Sequence, residues 1–184
     1  MQYPEQHRKS YMELDRIYFW TATINSWYKL LEQDVVKQII IDSLRYLHLK
    51  NKIEVYGFII MPNHIHLIWK IKEMNGKETP QGSLLKHTAH LFKRYLQTNN
   101  PLLLEVFKVK AANKQYEFWQ RDSLAFELTR RSTALQKLEY IHNNPLAAHW
   151  QLCNNPVDYY YSSATYYETE VEDFGFLTHI MDVT

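Results

Sequence analysis

The chain opens with a predicted strand followed by a predicted helix. Residues 17–24 (IYFWTATI) are dominated by β-branched and aromatic side chains, which are typical of strands. Residues 33–49 carry an apolar side chain at about every third or fourth position, which places these side chains on one helical face. The apolar positions are Val36, Ile40, Leu44 and Leu47.

A hairpin of two buried strands is predicted after this helix. Residues 54–61 and 64–71 are both rich in β-branched and aromatic residues. Pro62 and Asn63 lie between them and form a turn signal. We therefore expect the two strands to pair with each other.

Two further helices are predicted. Residues 83–97 show helical periodicity, and the sequence Asn-Asn-Pro at 99–101 ends it. The last clear helix is expected over residues 132–143, and Pro145 stops it.

The order of these elements predicts the fold class. Residues 103–110 and 116–121 are interpreted as strand or irregular structure, which gives the order β-α-β-β-α-β-α. This order predicts an α+β, ferredoxin-like fold with a mostly antiparallel sheet and helices on one face. Residues 1–167 are expected to form a single domain, and the acidic stretch that follows is expected to begin a loosely held C-terminal tail over residues 168–184.

Composition narrows the class of protein. The 184 residues are 46% hydrophobic, which is enough apolar material for one globular domain. The single cysteine, Cys153, excludes an internal disulfide and any thiolate-rich zinc site. The first ten residues lack the apolar core of a secretory signal, and no run approaches the length of a membrane span. A cytoplasmic protein without a membrane partner is therefore expected.

His64 and His66 are the first candidate functional residues. Successive side chains of a strand point to opposite faces, so these two imidazoles share one face of the second hairpin strand. Two imidazoles on one face can hold a divalent ion that keeps open coordination positions. The alternative is a pair of histidines that are hydrogen-bonded in the core. The local pattern leaves both interpretations open.

Charge alone gives no support to nucleic-acid binding, because the formal net charge is only +1. The helix at residues 83–97 places Lys86, His90 and Lys93 away from its apolar face. This local pattern is interpreted as an ordinary solvated helix face.

Four motifs, taken together, resemble a known family. They are MPNHIHLIW at 61–69, FWQ at 118–120, LEYIHNNP at 138–145 and DYYYSSATYY at 158–167. In this order they resemble the single-tyrosine transposases that carry a His-hydrophobic-His (HUH) motif. They are most similar to the REP-associated tyrosine transposases, the branch associated with repetitive extragenic palindromes. The resemblance extends over roughly residues 17–167.

The resemblance implies a metal-dependent endonuclease and strand transferase that acts on single-stranded DNA folded into hairpins. His64 and His66 match the metal-binding pair, and Tyr140 matches the nucleophile that forms a 5′-phosphotyrosine link. Asn144 stands where relatives place an amide that supplies a third metal contact, although many insertion-sequence members have glutamine there. The implied ion is Mg²⁺ or Mn²⁺.

With this resemblance, eight basic and aromatic residues become candidate DNA contacts. They are Lys86, Lys93, Arg94, Trp119, Arg121, Arg130, Arg131 and Lys137. Basic side chains bind phosphates and aromatic rings stack on unpaired bases. The alternatives are solvated surface charge for the basic residues and core packing for Trp119.

Two other functions stay open. One is a domesticated, catalytically inactive DNA hairpin-binding protein, which the near-neutral charge and the short Asn144 favour. The other is a metal-dependent hydrolase of small phosphoesters, with Tyr140 as a bystander. The sequence is also consistent both with a monomer and with a homodimer in which the Tyr140 helix serves the partner's histidine pair.

Overall fold

Six strands and five longer helices make up the part of the protein that the structure describes. The computed structural model describes residues 11–112, 114–121 and 123–182. The strands are β1 (Ile17–Thr23), β2 (Ile53–Ile60), β3 (His64–Ile71), β4 (Lys108–Ala111), β5 (Lys114–Tyr116) and β6 (Leu124–Glu127). The helices are α1 (Asp34–Leu49), α2 (Pro80–Asn99), α3 (Pro101–Val106), α4 (Arg131–Asn143) and α5 (Ala164–Thr169).

The central sheet has the strand order β2-β3-β1-β6, and each neighbouring pair is antiparallel. β4 and β5 form a separate two-stranded ribbon. β1 pairs with β3 along its whole length, so Thr21 lies opposite His66 and Thr23 lies opposite His64. This register places a polar stripe on one face of the two central strands.

The two faces of the sheet are covered by different helices. On one face, alternate residues of β1 and β3 pack against the apolar sides of α1 and α2, and this layer contains the larger core. On the other face, Ile59 and Ile68 pack against Ala134, Leu138 and Ile141 of α4. Each fully buried aliphatic or aromatic side chain contributes roughly 1.5–3 kcal/mol to the free energy of unfolding.

The predicted α+β class with an antiparallel sheet is confirmed, but the helices do not all lie on one face. α4 covers the face opposite to α1 and α2. β2 and β3 are buried on both faces along nearly their whole length, and a strand of this kind needs cover on both sides. Among the helices that the structure describes, none combines the length and the apolarity that crossing a membrane requires.

The C-terminal segment is packed rather than loosely held. Phe174 and Phe176 are buried, and both rings contact Phe58 of β2, with centroids 4.9 and 5.4 Å away. The backbone N–H of Thr178 donates to the carbonyl of Val55 at 2.9 Å. The expectation of a loosely held tail is therefore wrong for this segment, because its aromatic side chains complete the core. The domain boundary at residue 167 stays a prediction.

Candidate active site

A cavity of about 470 Å³ opens on the α4 side of the sheet. Among the residues that line it are His64 and His66 from β3, Tyr140 from α4, and Asn144 from the turn directly after α4. The structure thus brings together the predicted nucleophile and all three predicted metal ligands.

The two imidazoles are held side by side by strand geometry. His64 and His66 are alternate residues of β3, and their ring centroids are 4.7 Å apart. Both side chains are buried at the wall of the cavity, and the ring of Phe19 on β1 stacks on His66 with centroids 5.1 Å apart. The pair is therefore fixed in place before any ligand binds.

Neighbouring side chains determine which ring nitrogen faces the cavity. Nδ1 of His64 lies 2.7 Å from Oδ1 of Asn63, and Nδ1 of His66 lies 2.7 Å from Oγ1 of Thr21. An amide oxygen only accepts hydrogen bonds, so Nδ1 of His64 donates and its Nε2 keeps a free lone pair. The Asn63 amide is oriented by its nitrogen, which donates to the carbonyl of Trp27 at 3.2 Å.

Burial keeps both imidazoles neutral. Burial, together with the nearby positive charge of His149, lowers the pKa of His64 to about 4. Burial lowers the pKa of His66 to about 3, and the charges of His64 and Lys137 act in the same direction. Both rings are therefore uncharged at neutral pH, which is the form that binds metal ions.

These side chains fit a divalent metal ion. Metal-binding histidines usually have one ring nitrogen engaged in a second hydrogen bond, as His64 and His66 have here. Asn144 is buried at the same cavity and carries an amide oxygen, a hard ligand that suits Mg²⁺ or Mn²⁺. Within the described residues, no group of three His, Cys, Asp or Glu side chains is placed to hold a metal. The remaining ligands of an ion at this site would be amide, water or substrate oxygens.

Tyr140 presents its phenol at the mouth of the cavity. Its side chain is half exposed, and its ring lies edge-on to His66 with centroids 5.7 Å apart. Lys137 is one turn earlier on α4, and its Nζ lies 5.5 Å from the centre of the Tyr140 ring. The phenol is therefore accessible to a substrate, and a cation lies near its ring.

The candidate DNA contacts are divided between the two sides of the sheet. Lys137, Arg130 and Arg131 lie on or directly before α4, on the same side as the histidine pair. Helix α2 packs on the opposite side, and it carries the other helical candidates. These are Lys86, Lys93 and Arg94.

Two further candidates have structural partners. Arg121 is exposed and pairs with Glu117 at 3.1 Å. Trp119 is only 7% exposed, and its Nε1–H donates to Oγ1 of Thr88 at 3.0 Å. Because its ring packs in the core, Trp119 does not offer a face to a DNA base, and its predicted role as a DNA contact is contradicted.

The sequence interpretation missed several residues of the site. Thr21 and Asn63 hold the histidines, and Trp27 and Trp150 line the cavity. Asn63 directly precedes His64 in the motif, and Thr21 would follow from the β1–β3 register, so both had a signal in the sequence. The two tryptophans lie in irregular segments, where neither strand nor helix spacing predicts what a side chain faces.

A comparison with solved structures supports the α+β fold described above. No family model matches the chain, and no curated protein matches it. The solved structure of a REP-associated tyrosine transposase bound to a REP hairpin is similar over 98% of this chain and 95% of that chain, with a TM-score of 0.61 and 15% identity. A provisionally assigned transposase from Deinococcus radiodurans is similar over 73% of this chain and 94% of that chain, with a TM-score of 0.43 and 17% identity. The chain thus has the fold of a REP-associated tyrosine transposase, and the resemblance in its motifs is confirmed at the level of the fold.

Proposed function

We propose that the protein is a transposase of the REP-associated tyrosine type. In this proposal it is a single-stranded DNA endonuclease and strand transferase that cleaves beside hairpins through a 5′-phosphotyrosine intermediate. The observation that carries the proposal is the contact of Tyr140 with His66 in the cavity that both imidazoles line. The solved structure with the same fold is bound to a REP hairpin, which supports a DNA hairpin as the partner.

The proposed reaction exchanges one phosphoester for another. The Oη of Tyr140 attacks the scissile phosphorus, the bond to the 3′ oxygen breaks, and the phenol proton leaves while the 3′ oxygen gains a proton. A divalent ion held by His64, His66 and Asn144 would polarise the scissile phosphate. Because the phosphotyrosine is itself an ester, a 3′-hydroxyl can attack it in the reverse sense and join DNA without ATP.

Residues of the same chain supply the rest of the chemistry. A free phenol has a pKa near ~10, so few molecules are ionised at neutral pH and the site must favour the developing phenolate. The ammonium of Lys137 beside the Tyr140 ring does this electrostatically. Arg130 and Arg131 contact the DNA backbone as phosphate ligands. The contact of Tyr140 with His66 of its own chain supports a reaction within one monomer.

The proposal is tested with labelled single-stranded hairpin DNAs that carry unpaired flanks, incubated with Mn²⁺ and analysed on a denaturing gel. The wild-type protein should give a covalent adduct, and Tyr140→Phe should give none. Tyr160→Phe is the matched control, because Tyr160 is also well exposed but lies outside the cavity. Hairpin binding without any adduct would indicate an inactive DNA-binding protein. Phosphate release from small phosphoesters that persists in Tyr140→Phe would indicate a hydrolase.

The role of Asn144 is tested by metal binding rather than by cleavage. Asn144→Ala should weaken Mn²⁺ binding in calorimetry if the amide is a ligand. Asn143→Ala is the control, because Asn143 lines the same cavity while its side-chain amide donates to the carbonyl of Glu139 at 3.0 Å. Equal Mn²⁺ affinities for the two variants would remove Asn144 from the ligand set.

A further inference from the structure

The segment after β1 presents an exposed tryptophan at the rim of the active-site cavity. Trp27 is 62% exposed and lines that cavity together with the histidine pair and Tyr140. Ser26 and Trp27 both have positive φ, 55° and 56°. A bulky residue rarely adopts this conformation, and such strain persists only where the surrounding structure imposes it.

Hydrogen bonds to the β2–β3 turn impose this conformation. The backbone N–H groups of Ile24 and Leu31 donate to the carbonyls of Asn63 and Pro62, at 2.8 and 2.9 Å. The side-chain amide of Asn63 donates to the carbonyl of Trp27 at 3.2 Å. The same Asn63 side chain accepts from Nδ1 of His64. One amide therefore fixes both the metal-binding ring and the loop that carries Trp27.

Trp27 also lines a second cavity. This cavity has a volume of about 550 Å³ and includes Tyr28, Lys29 and Glu32 in its wall. The side chain of Lys29 reaches back toward the first cavity, where its Nζ lies 5.9 Å from the centre of the Trp150 ring. The two cavities are thus adjacent, with Trp27 between them.

We infer that Trp27 is a stacking platform for an unpaired DNA base next to the scissile phosphate, and that the strand continues from it into the second cavity. The inference rests on the proposed function, because it assumes a single strand bound at Tyr140. An exposed indole on a rigid loop can stack on any base at little cost in conformational entropy. Asn63 is then a positioning residue, which acts on the base through Trp27 and on the site through His64.

The charges of the second cavity favour a base over a phosphate. Lys29 and Glu32 both line this cavity and carry opposite formal charges, so its wall has no excess of positive charge. Tyr28 adds a second partly exposed aromatic ring. A neutral, aromatic wall suits the flat face of a nucleobase, whereas a phosphate requires basic side chains or a set of backbone N–H groups.

The test is an abasic scan in a protein that cannot cut DNA. Hairpins with a single abasic position moved along the unpaired flanks are bound to the Tyr140→Phe protein. They are also bound to the same protein with Trp27→Leu, Trp27→Gln or Trp27→Phe. Tyr46→Leu is the matched control, because Tyr46 is an exposed aromatic residue on α1, the helix on the opposite side of the sheet. Circular dichroism confirms the fold of each variant.

One abasic position in the flank should weaken binding by the parent protein roughly 5- to 150-fold, the range expected for loss of one base–aromatic stack. This positional loss should vanish in Trp27→Leu and Trp27→Gln, and it should persist in Trp27→Phe and Tyr46→Leu. If the loss of binding at each abasic position is the same in Trp27→Leu and Trp27→Gln as in the parent, the inference is overturned. The proposed function would still stand in that case, provided that the wild-type protein forms the covalent adduct. Failure of the parent to bind any hairpin would overturn both.

Discussion

The phenol ring of Tyr140 lies edge-on to the imidazole of His66, with ring centroids 5.7 Å apart. Tyr140 belongs to α4 and His66 to β3, so this contact depends on how closely the helix packs against the sheet. The ring of Phe19 on β1 contacts both residues, with centroids 6.1 and 5.1 Å away. Three elements of the fold therefore determine the distance between the proposed nucleophile and the histidine pair.

Replacement of Lys137 by methionine should slow adduct formation about tenfold at neutral pH, because the ammonium near the Tyr140 ring favours the developing phenolate. Methionine keeps an unbranched apolar stem over Phe19, which Nζ of Lys137 approaches to 4.8 Å. The rate of adduct formation is measured at saturating DNA, so that a change in DNA affinity does not contribute.

Lys137→Arg is the companion variant, because it keeps the positive charge and should retain most of the rate. Equal rates for Lys137→Met and the wild-type protein at saturating DNA would leave Lys137 with a binding role only.

Local spacing predicted the parts of the site that lie on regular elements. The predicted bounds of β3 agree with the structure, and strand alternation placed His64 and His66 on one face. The motif around Tyr140 predicted that this residue acts together with the histidine pair, and the structure places all three at one cavity. For the histidine pair the information is local, because the repeat of the strand fixes the direction of the side chain.

The parts that were missed depend on contacts between distant segments. Trp119 and Trp27 are both tryptophans in irregular regions, yet the first is buried against α2 and the second is exposed at the cavity. Composition cannot distinguish these two environments. Likewise, β2 is buried on both faces, so a helix must cover the second face of the sheet. The apolar run of β2 does not indicate which helix this is.

Thr21→Val should weaken Mn²⁺ binding by about 10- to 100-fold, the usual effect of losing a hydrogen bond to a metal-binding histidine. Valine has nearly the same shape as threonine but leaves Nδ1 of His66 without the partner that lies 2.7 Å away. The affinity is measured by isothermal titration calorimetry with the DNA-free protein.

Thr23→Val tests whether the effect is specific to that hydrogen bond. Thr23 is two residues further along β1 and lines the same cavity, but within the described structure it has no hydrogen bond to either imidazole. Thr23→Val should bind Mn²⁺ like the wild-type protein, and an equal loss in both variants would contradict a specific role for Thr21.

Glu54→Gln should destabilise the fold at neutral pH by roughly 1–2 kcal/mol, a value discounted for partial solvent exposure. Burial alone raises the pKa of the Glu54 carboxyl. Hydrogen bonds from Lys70, Tyr56 and Lys72 outweigh this effect and lower the pKa to about 2. The folded pKa lies below the ordinary value of 4.5, so this stabilisation is present above about pH 4.5 and is lost as the pH falls through about 2.

Urea unfolding followed by circular dichroism between pH 7 and pH 2.5 measures the difference between the variant and the wild-type protein. That difference should shrink below pH 4.5. Glu73→Gln is the control, because Glu73 pairs with Lys52 at the exposed surface and should contribute little at any pH. A difference that stays constant down to pH 2.5 would show that Glu54 acts through something other than its charge.

Gly57→Ala should destabilise the protein by roughly 1–3 kcal/mol, because the added methyl group overpacks the contact between β2 and α4. A Cβ at position 57 would lie 2.6 Å from Cδ1 of Leu138 and 3.3 Å from Cδ1 of Ile141. The register of β2 against β3 also shifts between Val55 and Gly57. Any outward shift of α4 would move Tyr140 away from His66, so the adduct yield should fall along with the stability.

A double-mutant cycle with Leu138→Val identifies the cause. Shortening this side chain removes the closest clash, so Gly57→Ala should cost less in the Leu138→Val background than in the wild-type protein. Urea unfolding gives the four free energies of unfolding, and the adduct assay is run on the same four proteins. The losses in free energy of unfolding from Gly57→Ala and Leu138→Val could instead be additive, with an adduct yield equal to that of the wild-type protein. In that case, close packing of α4 at Gly57 does not set the position of Tyr140. A favourable coupling that also restores part of the adduct would show that this single glycine allows Tyr140 to reach the histidine pair.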